Sequence, residues 1–175
     1  MNGSKLDRLE WAVGLINVKP NDRILEIGCG YGRAVSLVCE KLITGMITAI
    51  DRSSKMANAA KDANVQNIIA GRAEILHADL LSSDLPEAAF DKVFLFNINV
   101  FWMDPVAELN AIRRLLEPGG IFYLFHQPPP GHKAEEFAEK FKENLGKNRF
   151  DIKDIQFGNF ASSDAVCITS QPHLQ

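Results

Sequence analysis

The chain has few of the features that mark secreted, nucleic-acid-binding or membrane-spanning proteins. It has only three cysteines, Cys29, Cys39 and Cys167, and their odd number and wide spacing predict reduced, buried thiols and no zinc site. A net charge of −3 and a pI of about 5.8 supply no positive field for phosphates, so nucleic acid is a disfavoured partner. Residues 1–5 show no basic-then-apolar leader, and the longest nearly apolar run, 93–103, is too short to span a bilayer. We expect a soluble, cytoplasmic protein with no membrane segment.

The length of 175 residues, with 46% hydrophobic residues, predicts a single domain with one core. We expect a leading helix within residues 1–20, a core from 21 to 170 and a tail from 171 to 175. The leading helix is indicated by apolar residues at steps of three and four, which are Leu6, Leu9, Val13 and Ile16.

Strand and helix patterns alternate along the rest of the chain. Helices are predicted after the first, second, fourth and fifth strands, the fourth of these helices running from His132 to Leu145. The alternation, followed by a terminal hairpin with a turn at Ser162 to Asp164, predicts a doubly wound α/β sandwich with helices on both faces of a sheet. The predicted strands are Arg23 to Ile27, Met46 to Ile50, Ala73 to His77, Asp91 to Phe96, Ile121 to Phe125, Phe150 to Phe160 and Ala165 to Thr169.

Three glycines at alternate positions follow the first strand, at Gly28, Gly30 and Gly32. This spacing predicts a turn where the backbone approaches a ligand closely and where the next helix offers free N–H groups. A nucleotide-like ligand is the natural occupant. The dinucleotide fingerprint G-x-G-x-x-G would place its third glycine where this chain has Arg33, which weakens a nicotinamide interpretation.

Asp51 ends the second strand, about twenty residues after the glycine turn. A carboxylate there can accept hydrogen bonds from both hydroxyls of a ribose. Because enzymes that use NAD share this geometry, Asp51 favours an adenosine-containing ligand without choosing between cofactors. The alternative is a plain helix-capping acid.

The motif Glu26-x-Gly28-x-Gly30-x-Gly32 resembles the first motif of the class I S-adenosylmethionine (SAM)-dependent methyltransferases, in particular the small type 11/25 domain group. The later Leu116-Glu117-Pro118-Gly119-Gly120 is similar to the turn that often precedes the fifth strand in that family. The resemblance implies a Rossmann-like three-layer sandwich whose seven-stranded sheet has the order 3-2-1-4-5-7-6 with the last strand antiparallel. It also implies SAM as cofactor and S-adenosylhomocysteine (SAH) as product.

The resemblance implies roles for residues around the methionine half of the cofactor. Glu26 would face the amino end of the methionine, and Asn97 would contact the same amino group through its backbone oxygen. An Asn at a strand end is also a common turn former. The turn residues expected to bind the cofactor are Gly28, Cys29, Gly30, Tyr31 and Gly32.

The adenine half is assigned by the same resemblance. Asp79 would accept a hydrogen bond from the adenine amino group, and the backbone N–H of Leu80 would meet a ring nitrogen. Arg52 would line the adenine edge with Met56 nearby. For Asp79, a solvated loop acid is the alternative.

Methyl transfer from a sulfonium needs an aligned acceptor and, in some cases, a base. His126 is the candidate base because it follows the fifth strand on the ligand side, with Asn99 and Asp104 behind it; no metal is expected. Aromatic contacts to the sulfonium are possible for Tyr31, Phe101 and Trp102, although core packing is commoner. Methyltransferases that act on amino groups of nucleic acids often carry Asn or Asp, two prolines and an aromatic after the fourth strand. This chain has Asn97-Ile98-Asn99-Val100, which favours a small-molecule acceptor.

Two other functions stay open at this point. One is a SAM- or SAH-binding module without its own turnover, because the region from His126 to Phe150 holds no large lid. The leading helix or a second copy in a homodimer would then cover the site. The other is a nicotinamide-dependent oxidoreductase, which Arg33 and the lack of a Tyr-x-x-x-Lys pair oppose.

Overall fold

The computed structural model describes residues 7–160 and 163–173. Leu6 of the predicted leading helix and Ser162 of the predicted hairpin turn lie outside these residues. The helices are α1 (Arg8–Ile16), α2 (Arg33–Cys39), α3 (Ser54–Ala63), α4 (Val65–Ile69), α5 (Val106–Leu115) and α6 (Ala134–Lys147), with a 3₁₀ helix at Asn99–Trp102. The strands are β1 (Arg23–Ile27), β2 (Met46–Asp51), β3 (Ala73–His77), β4 (Phe90–Phe96), β5 (Leu116–His126), β6 (Phe150–Asn159) and β7 (Asp164–Pro172).

The strands form one seven-stranded sheet in the order β3-β2-β1-β4-β5-β7-β6, which confirms the expected order. β7 runs antiparallel to both β5 and β6, also as expected. In the parallel part, Ile27 of β1 lies beside Ile50 of β2 and beside Leu95 of β4. The turns after these three strands therefore leave the sheet at one edge, where ligands of doubly wound folds bind.

Helices cover both faces of the sheet. Buried Val13, Val35 and Ala60 of α1, α2 and α3 belong to one apolar cluster, and buried Ile112 and Phe141 of α5 and α6 belong to a second. The sheet separates the clusters because successive side chains of a strand point to opposite faces. The three-layer α/β sandwich predicted from the sequence is confirmed.

The start of β5 differs from the prediction. We expected the preceding helix to run through Leu116 and the strand to begin at Ile121, with 118–120 as a turn. In the structure β5 begins at Leu116, because this residue pairs with Phe90. The pairing then jumps to Lys92 beside Ile121, so the Pro-Gly-Gly segment is an irregular part of the strand and not a turn before it.

Three further features were not predicted. α4 follows α3 as a separate short helix, and the chain forms the 3₁₀ helix soon after β4. β7 extends to Pro172 because Gln171 and Pro172 pair with β6, so the sheet reaches into the segment predicted as a tail from residue 171.

The N-terminus of α1 is fixed by a capping box. The Asp7 carboxylate accepts a hydrogen bond from the Leu9 N–H at 2.9 Å, and the Glu10 carboxylate accepts one from the Asp7 N–H at 3.2 Å. α1 ends at Ile16, and its C-cap Asn17 adopts a left-handed conformation with φ of 51°. The two caps fix where the leading helix begins and ends.

Replacing Asp7 with Ala should lower the free energy of unfolding by about 1 kcal/mol, because the Leu9 N–H loses its acceptor. Asp7→Asn keeps an acceptor and should stay close to the wild type. Urea denaturation measures both variants. An equal loss in both would assign the effect to the ion pair between Asp7 and Arg33, which are 3.3 Å apart, and not to the cap.

Candidate active site

The turn between β1 and α2 is tied to the end of β2. The N–H groups of Gly28 and Cys29 both donate to the Ile50 carbonyl, at 2.8 and 3.1 Å, and the Gly32 N–H donates to the Cys29 carbonyl at 2.9 Å. Gly28, Gly30 and Gly32 all have φ between 54° and 75°. These positive angles explain why glycine occupies alternate positions of the turn.

The three glycines differ in what a side chain would meet. A Cβ on Gly28 would lie 2.9 Å from Ile98, and one on Gly32 would lie 2.7 Å from the side chain of Asn64. A Cβ on Gly30 would have no atom within 4 Å. Packing within the protein therefore requires small residues at Gly28 and Gly32, whereas Gly30 faces open space.

Asp51 joins the end of β2 to the glycine turn. Its Oδ2 accepts a hydrogen bond from the Gly30 N–H and its Oδ1 accepts one from the Ser53 N–H, both at 2.9 Å. Ser53 is the N-cap of α3, since its hydroxyl accepts from the Met56 N–H at 3.4 Å. Asp51 is thus not the side chain that caps α3, and its oxygens keep lone pairs that can accept from a ligand.

Glu26 is buried behind the turn, with 5% of its surface exposed, and its Oε2 has no hydrogen-bond partner among the described residues. Burial, and secondly the charge of Asp51, raise the pKa of Glu26 to about 8. The side chain is therefore mostly protonated at pH 7. A buried carboxyl oxygen without a partner fits a site that receives a cationic or hydrogen-bonding ligand group.

A cavity of about 540 Å³ opens at this edge of the sheet, within the size range of small-molecule sites. Its wall brings together residues from the ends of β1, β2, β3 and β4. Six residues predicted to bind the cofactor line it, and these are Gly28, Asp51, Arg52, Asp79, Leu80 and Asn97. The predicted residues Glu26, Cys29, Gly30, Tyr31, Gly32 and Met56 do not belong to its wall, and neither does His126.

The end of the cavity nearest β3 is formed by Asp79 and Leu80. One carboxylate oxygen of exposed Asp79 accepts a hydrogen bond from the Leu81 N–H at 2.9 Å, and Leu80 is buried. Across from them, the Arg52 carbonyl lies 3.1 Å from Nε2 of His77. Asp79 therefore lines the cavity, and one of its carboxylate oxygens already accepts a hydrogen bond from its own loop.

Asn97 follows β4 and has a φ of 56°. Its N–H donates to the Phe125 carbonyl at 3.0 Å, and its Oδ1 accepts from the Gln127 N–H at 2.7 Å. Because the side-chain oxygen already accepts a hydrogen bond within the protein, a ligand contact of Asn97 would use its backbone carbonyl. Asn97 also connects the end of β4 to the end of β5.

Part of the cavity wall was missed by reasoning from the sequence. The chain after β4 forms part of the cavity wall, and the Ile98 side chain lies against Gly28. The available signal was the apolar run 93–103, which continues past the end of β4 at Phe96. The wall residues not singled out from the sequence are Ile27, Ile50, Ala78, Leu81, Ile98, Val100, Met103 and Glu108.

Tyr31, Met56 and Cys29 are three of the six predicted cofactor residues that do not belong to the cavity wall. Tyr31 is 66% exposed, and Met56 is half-buried in the first turn of α3. Cys29 is buried, and burial, with the charges of Glu26 and Asp51, raises the pKa of its thiol to about 12. The thiol is therefore unreactive, and the contribution of Cys29 to the turn is its backbone.

His126 ends β5 on the face covered by α6. Its ring centroid lies 4.4 Å from that of Phe137 and 5.4 Å from that of Phe141. Only 5% of the residue is exposed, and neither ring nitrogen has a hydrogen-bond partner within the described part of the chain. Burial lowers the pKa of His126 to about 4, so the imidazole is neutral at pH 7. Its role as a base stays a prediction.

Two further properties hold for residues 7–160 and 163–173. No group of three or more His, Cys, Asp or Glu side chains there is placed to hold a metal ion. None of the helices in this part of the chain is both long and apolar enough to cross a membrane.

Sequence comparison identifies relatives of this chain. Residues 25–124, more than half of its length, match the methyltransferase domain family. The Bacillus subtilis protein YrhH, named as a methyltransferase, is 31% identical over 130 residues, which are 73% of this chain and 70% of that protein. The 27-O-demethylrifamycin SV methyltransferase of Amycolatopsis mediterranei is 30% identical over 146 residues, which are 81% of this chain and 51% of that enzyme.

Solved structures share the fold. The cyclase SpnF superposes with a TM-score of 0.78 at 18% identity, covering 96% of this chain and 82% of its own. Geranyl diphosphate C-methyltransferase from Streptomyces coelicolor, solved with Mg²⁺, geranyl diphosphate and SAH, gives a TM-score of 0.74 at 12% identity, covering 95% of this chain and 78% of its own. A cyclase and a methyltransferase share this architecture, so the likeness establishes the fold alone.

Proposed function

The chain belongs to the methyltransferase domain family and is a SAM-dependent methyltransferase, and we propose that it methylates a small-molecule acceptor by in-line displacement. The observation that supports the site most directly is the edge shared by the glycine turn, Asp51 and Glu26. There, Gly30 faces open space, Asp51 accepts from the turn, and Glu26 keeps a buried oxygen without a partner. These residues fit a ligand that carries both a ribose and an amino group.

The residues of the cavity wall and of the adjoining glycine turn have proposed tasks. Glu26 and the Asn97 carbonyl hold the amino group of the methionine, and Asp51 accepts from the ribose hydroxyls. Asp79 and the Leu80 N–H contact the adenine edge. Arg52 and Met56 flank the base, while the backbone of Gly28, Cys29, Gly30, Tyr31 and Gly32 carries the turn around the cofactor.

The chemistry of the bound cofactor limits what the protein has to do. SAM supplies a methyl group already activated by its sulfonium, so no metal or covalent nucleophile is needed. The protein contributes by aligning the acceptor with the methyl carbon and by excluding water, and alignment alone supplies about 7–11 kcal/mol in well-oriented systems. We assign acceptance of a proton from the acceptor, where the acceptor carries one, to His126.

A small-molecule acceptor is supported by charge and by relatives. The chain has a net charge of −3, so it lacks the electrostatic attraction on which nucleic-acid binding relies. A relative at 30% identity is named for a small-molecule acceptor, 27-O-demethylrifamycin SV. We therefore place the acceptor among small metabolites.

Two measurements test this function. Isothermal titration should detect binding of SAH and no binding of NAD. Incubation of the protein with methyl-labelled SAM and a metabolite extract should then move label into an extractable product. SAH binding without any labelled product would instead support a binding module without turnover, and NAD binding would contradict the site assignment.

Replacing Asp51 with Ala should weaken SAH binding by about tenfold, since a hydrogen bond to a charged group is worth about 1.5–3 kcal/mol and part of it is replaced by water. Glu74→Ala on neighbouring β3 removes an exposed acid away from the cavity and should leave binding unchanged. Isothermal titration compares the two. Unchanged affinity in Asp51→Ala would contradict the ribose assignment.

A further inference from the structure

Four side chains from β5, α6 and the 3₁₀ helix form a cluster that we call the aromatic chamber: Trp102, His126, Phe137 and Phe141. Phe137 touches the other three, with ring centroids 5.7 Å from Trp102, 4.4 Å from His126 and 6.4 Å from Phe141. Phe137 is half-buried and covers the more deeply buried imidazole. One ring on the first turns of α6 therefore packs against all three of the other side chains.

The chamber holds polar atoms that the protein does not satisfy. Nδ1 and Nε2 of His126 and Nε1 of Trp102 are buried, and none has a hydrogen-bond partner among residues 7–160 and 163–173. Buried polar groups are nearly always paired, because an unpaired one costs folding free energy. A phenylalanine at position 126 would carry no buried polar atom. The unpaired atoms thus point to a ligand that satisfies them.

The aromatic chamber adjoins the cofactor cavity at two points. Phe96 pairs with Phe125, so the residues that follow them, Asn97 and His126, leave neighbouring strands about 5 Å apart. Asn97 lines the cavity. Phe101 also lines it and directly precedes Trp102. A ligand in the chamber would therefore lie next to the cofactor.

The charges around the aromatic chamber favour a neutral or anionic ligand. Nζ of Lys140 lies 5.3 Å from the Trp102 ring and 5.7 Å from the Phe137 ring. Exposed His132 packs edge-on against Phe137 at 6.3 Å. The ammonium group of Lys140 beside these rings would repel a cationic amine.

We propose that the aromatic chamber is the acceptor site and that it binds an aromatic hydroxyl compound, whose hydroxyl contacts His126 once the Phe137 ring has moved aside. The proposal rests on the proposed function. The Trp102 N–H donates to the hydroxyl oxygen, and the hydroxyl donates to the imidazole. The oxygen attacks the methyl carbon of SAM, the carbon–sulfur bond breaks with its electron pair going to sulfur, and the hydroxyl proton passes to His126. The products are an aryl methyl ether and SAH.

The test measures transfer of label from methyl-labelled SAM to phenol and catechol by the full chain, with benzylamine as the amine comparison. The wild type should label the two hydroxyl compounds and not benzylamine. His126→Phe should lower the rate by about 100-fold or more, the usual contribution of a general base, while SAH affinity and melting temperature are retained or raised. The matched control His132→Phe alters the exposed neighbour on the same Phe137 and should keep the wild-type rate.

Binding can be followed separately from turnover. The chain has two tryptophans, so Trp11→Phe leaves Trp102 as the only indole reporter. Phenol should then shift the Trp102 emission in the presence of SAH, and His126→Phe in that background should remove the shift. This readout would not respond to a purely structural role of His126.

The outcomes are distinguishable. If the wild type binds SAH but labels neither phenol nor catechol, or labels benzylamine instead, the acceptor proposal is overturned and the methyltransferase function stands. Wild-type rates in His126→Phe would overturn the role of the imidazole. Failure of the wild type to bind SAH would overturn the proposed function itself.

Discussion

Replacing Gly30 with Ala should weaken SAH binding by about 100-fold, which corresponds to about 2.7 kcal/mol of binding free energy. In the structure, a Cβ on Gly30 has no atom within 4 Å, so the added methyl projects into open space and not into the protein. That space is where the turn would approach the cofactor, beside the N–H that donates to Asp51. Isothermal titration with SAH measures the effect.

A second glycine provides a matched control for backbone strain. Gly71 has a φ of 70°, against 54° for Gly30, and a Cβ on it also has no atom within 4 Å. It lies between α4 and β3, away from the turn between β1 and α2. Both Ala variants should lose about 1 kcal/mol of stability from the left-handed conformation, and only Gly30→Ala should lose affinity. Equal SAH affinity in the two variants would show that Gly30 does not contact the ligand.

The sheet could be predicted because its signals are local. Strands such as β1 and β2 are short, continuously buried apolar runs that end at a glycine turn or an acid, and such a run can be recognised without knowledge of the partner strand. The order of the strands came from the resemblance to a family, since periodicity does not encode which strands are neighbours. The start of β5 was wrong because the pairing of Leu116 with Phe90 is a contact between residues distant in sequence.

Lys92 lies in a correctly predicted strand, but its contacts could not be predicted because its partners are distant in sequence. The sequence predicts a buried strand from Asp91 to Phe96, which leaves a charged residue without an explanation. In the structure its Nζ donates to Asp22 at 2.6 Å and to the Asn17 carbonyl at 2.8 Å. Both partners belong to the segment between α1 and β1, and no local pattern shows that this segment would pass over β4.

Some residues of the candidate site could be predicted from local spacing, and others depend on contacts between segments distant in sequence. The glycine turn and Asp51 follow from spacing, because a ligand-binding turn constrains consecutive residues. The wall formed by Ile98 and Met103 depends on how the chain folds back after β4. For His126, the alternation with Phe122 and Leu124 could have predicted the face it occupies, but its contact with Phe137 depends on how α6 packs.

Replacing Glu26 with Gln should weaken SAH binding by about 10- to 100-fold, because the ligand's ammonium group loses a charged partner. In the ligand-free protein, the same change should raise the free energy of unfolding, relative to that of the wild type, more at high pH than at low pH. In the folded protein the pKa of Glu26 is raised from 4.5 to about 8 by burial. The folded state therefore keeps a proton that the unfolded state releases, so the free energy of unfolding of the wild type falls between pH 4.5 and pH 8.

Glutamine does not titrate, so Glu26→Gln should lack this fall. Denaturation of both proteins at pH 5 and pH 9 gives the comparison, and the stability of the variant relative to the wild type should rise by several kcal/mol between them, at about 1.4 kcal/mol per pKa unit. Parallel pH profiles would mean that Glu26 ionises normally in the folded protein.

The raised pKa of Glu26 predicts that protons are released when SAH binds. At pH 7 the carboxyl is mostly protonated in the free protein, and an ammonium group placed against Oε2 favours the carboxylate. Binding of SAH at pH 7 should therefore release close to one proton, and binding at pH 9 should release almost none. Titrations in buffers of different ionisation enthalpy count the protons. Glu26→Gln should release none at either pH, whereas release that persists in this variant would place the titrating group elsewhere and leave Glu26 without its proposed contact to the cofactor.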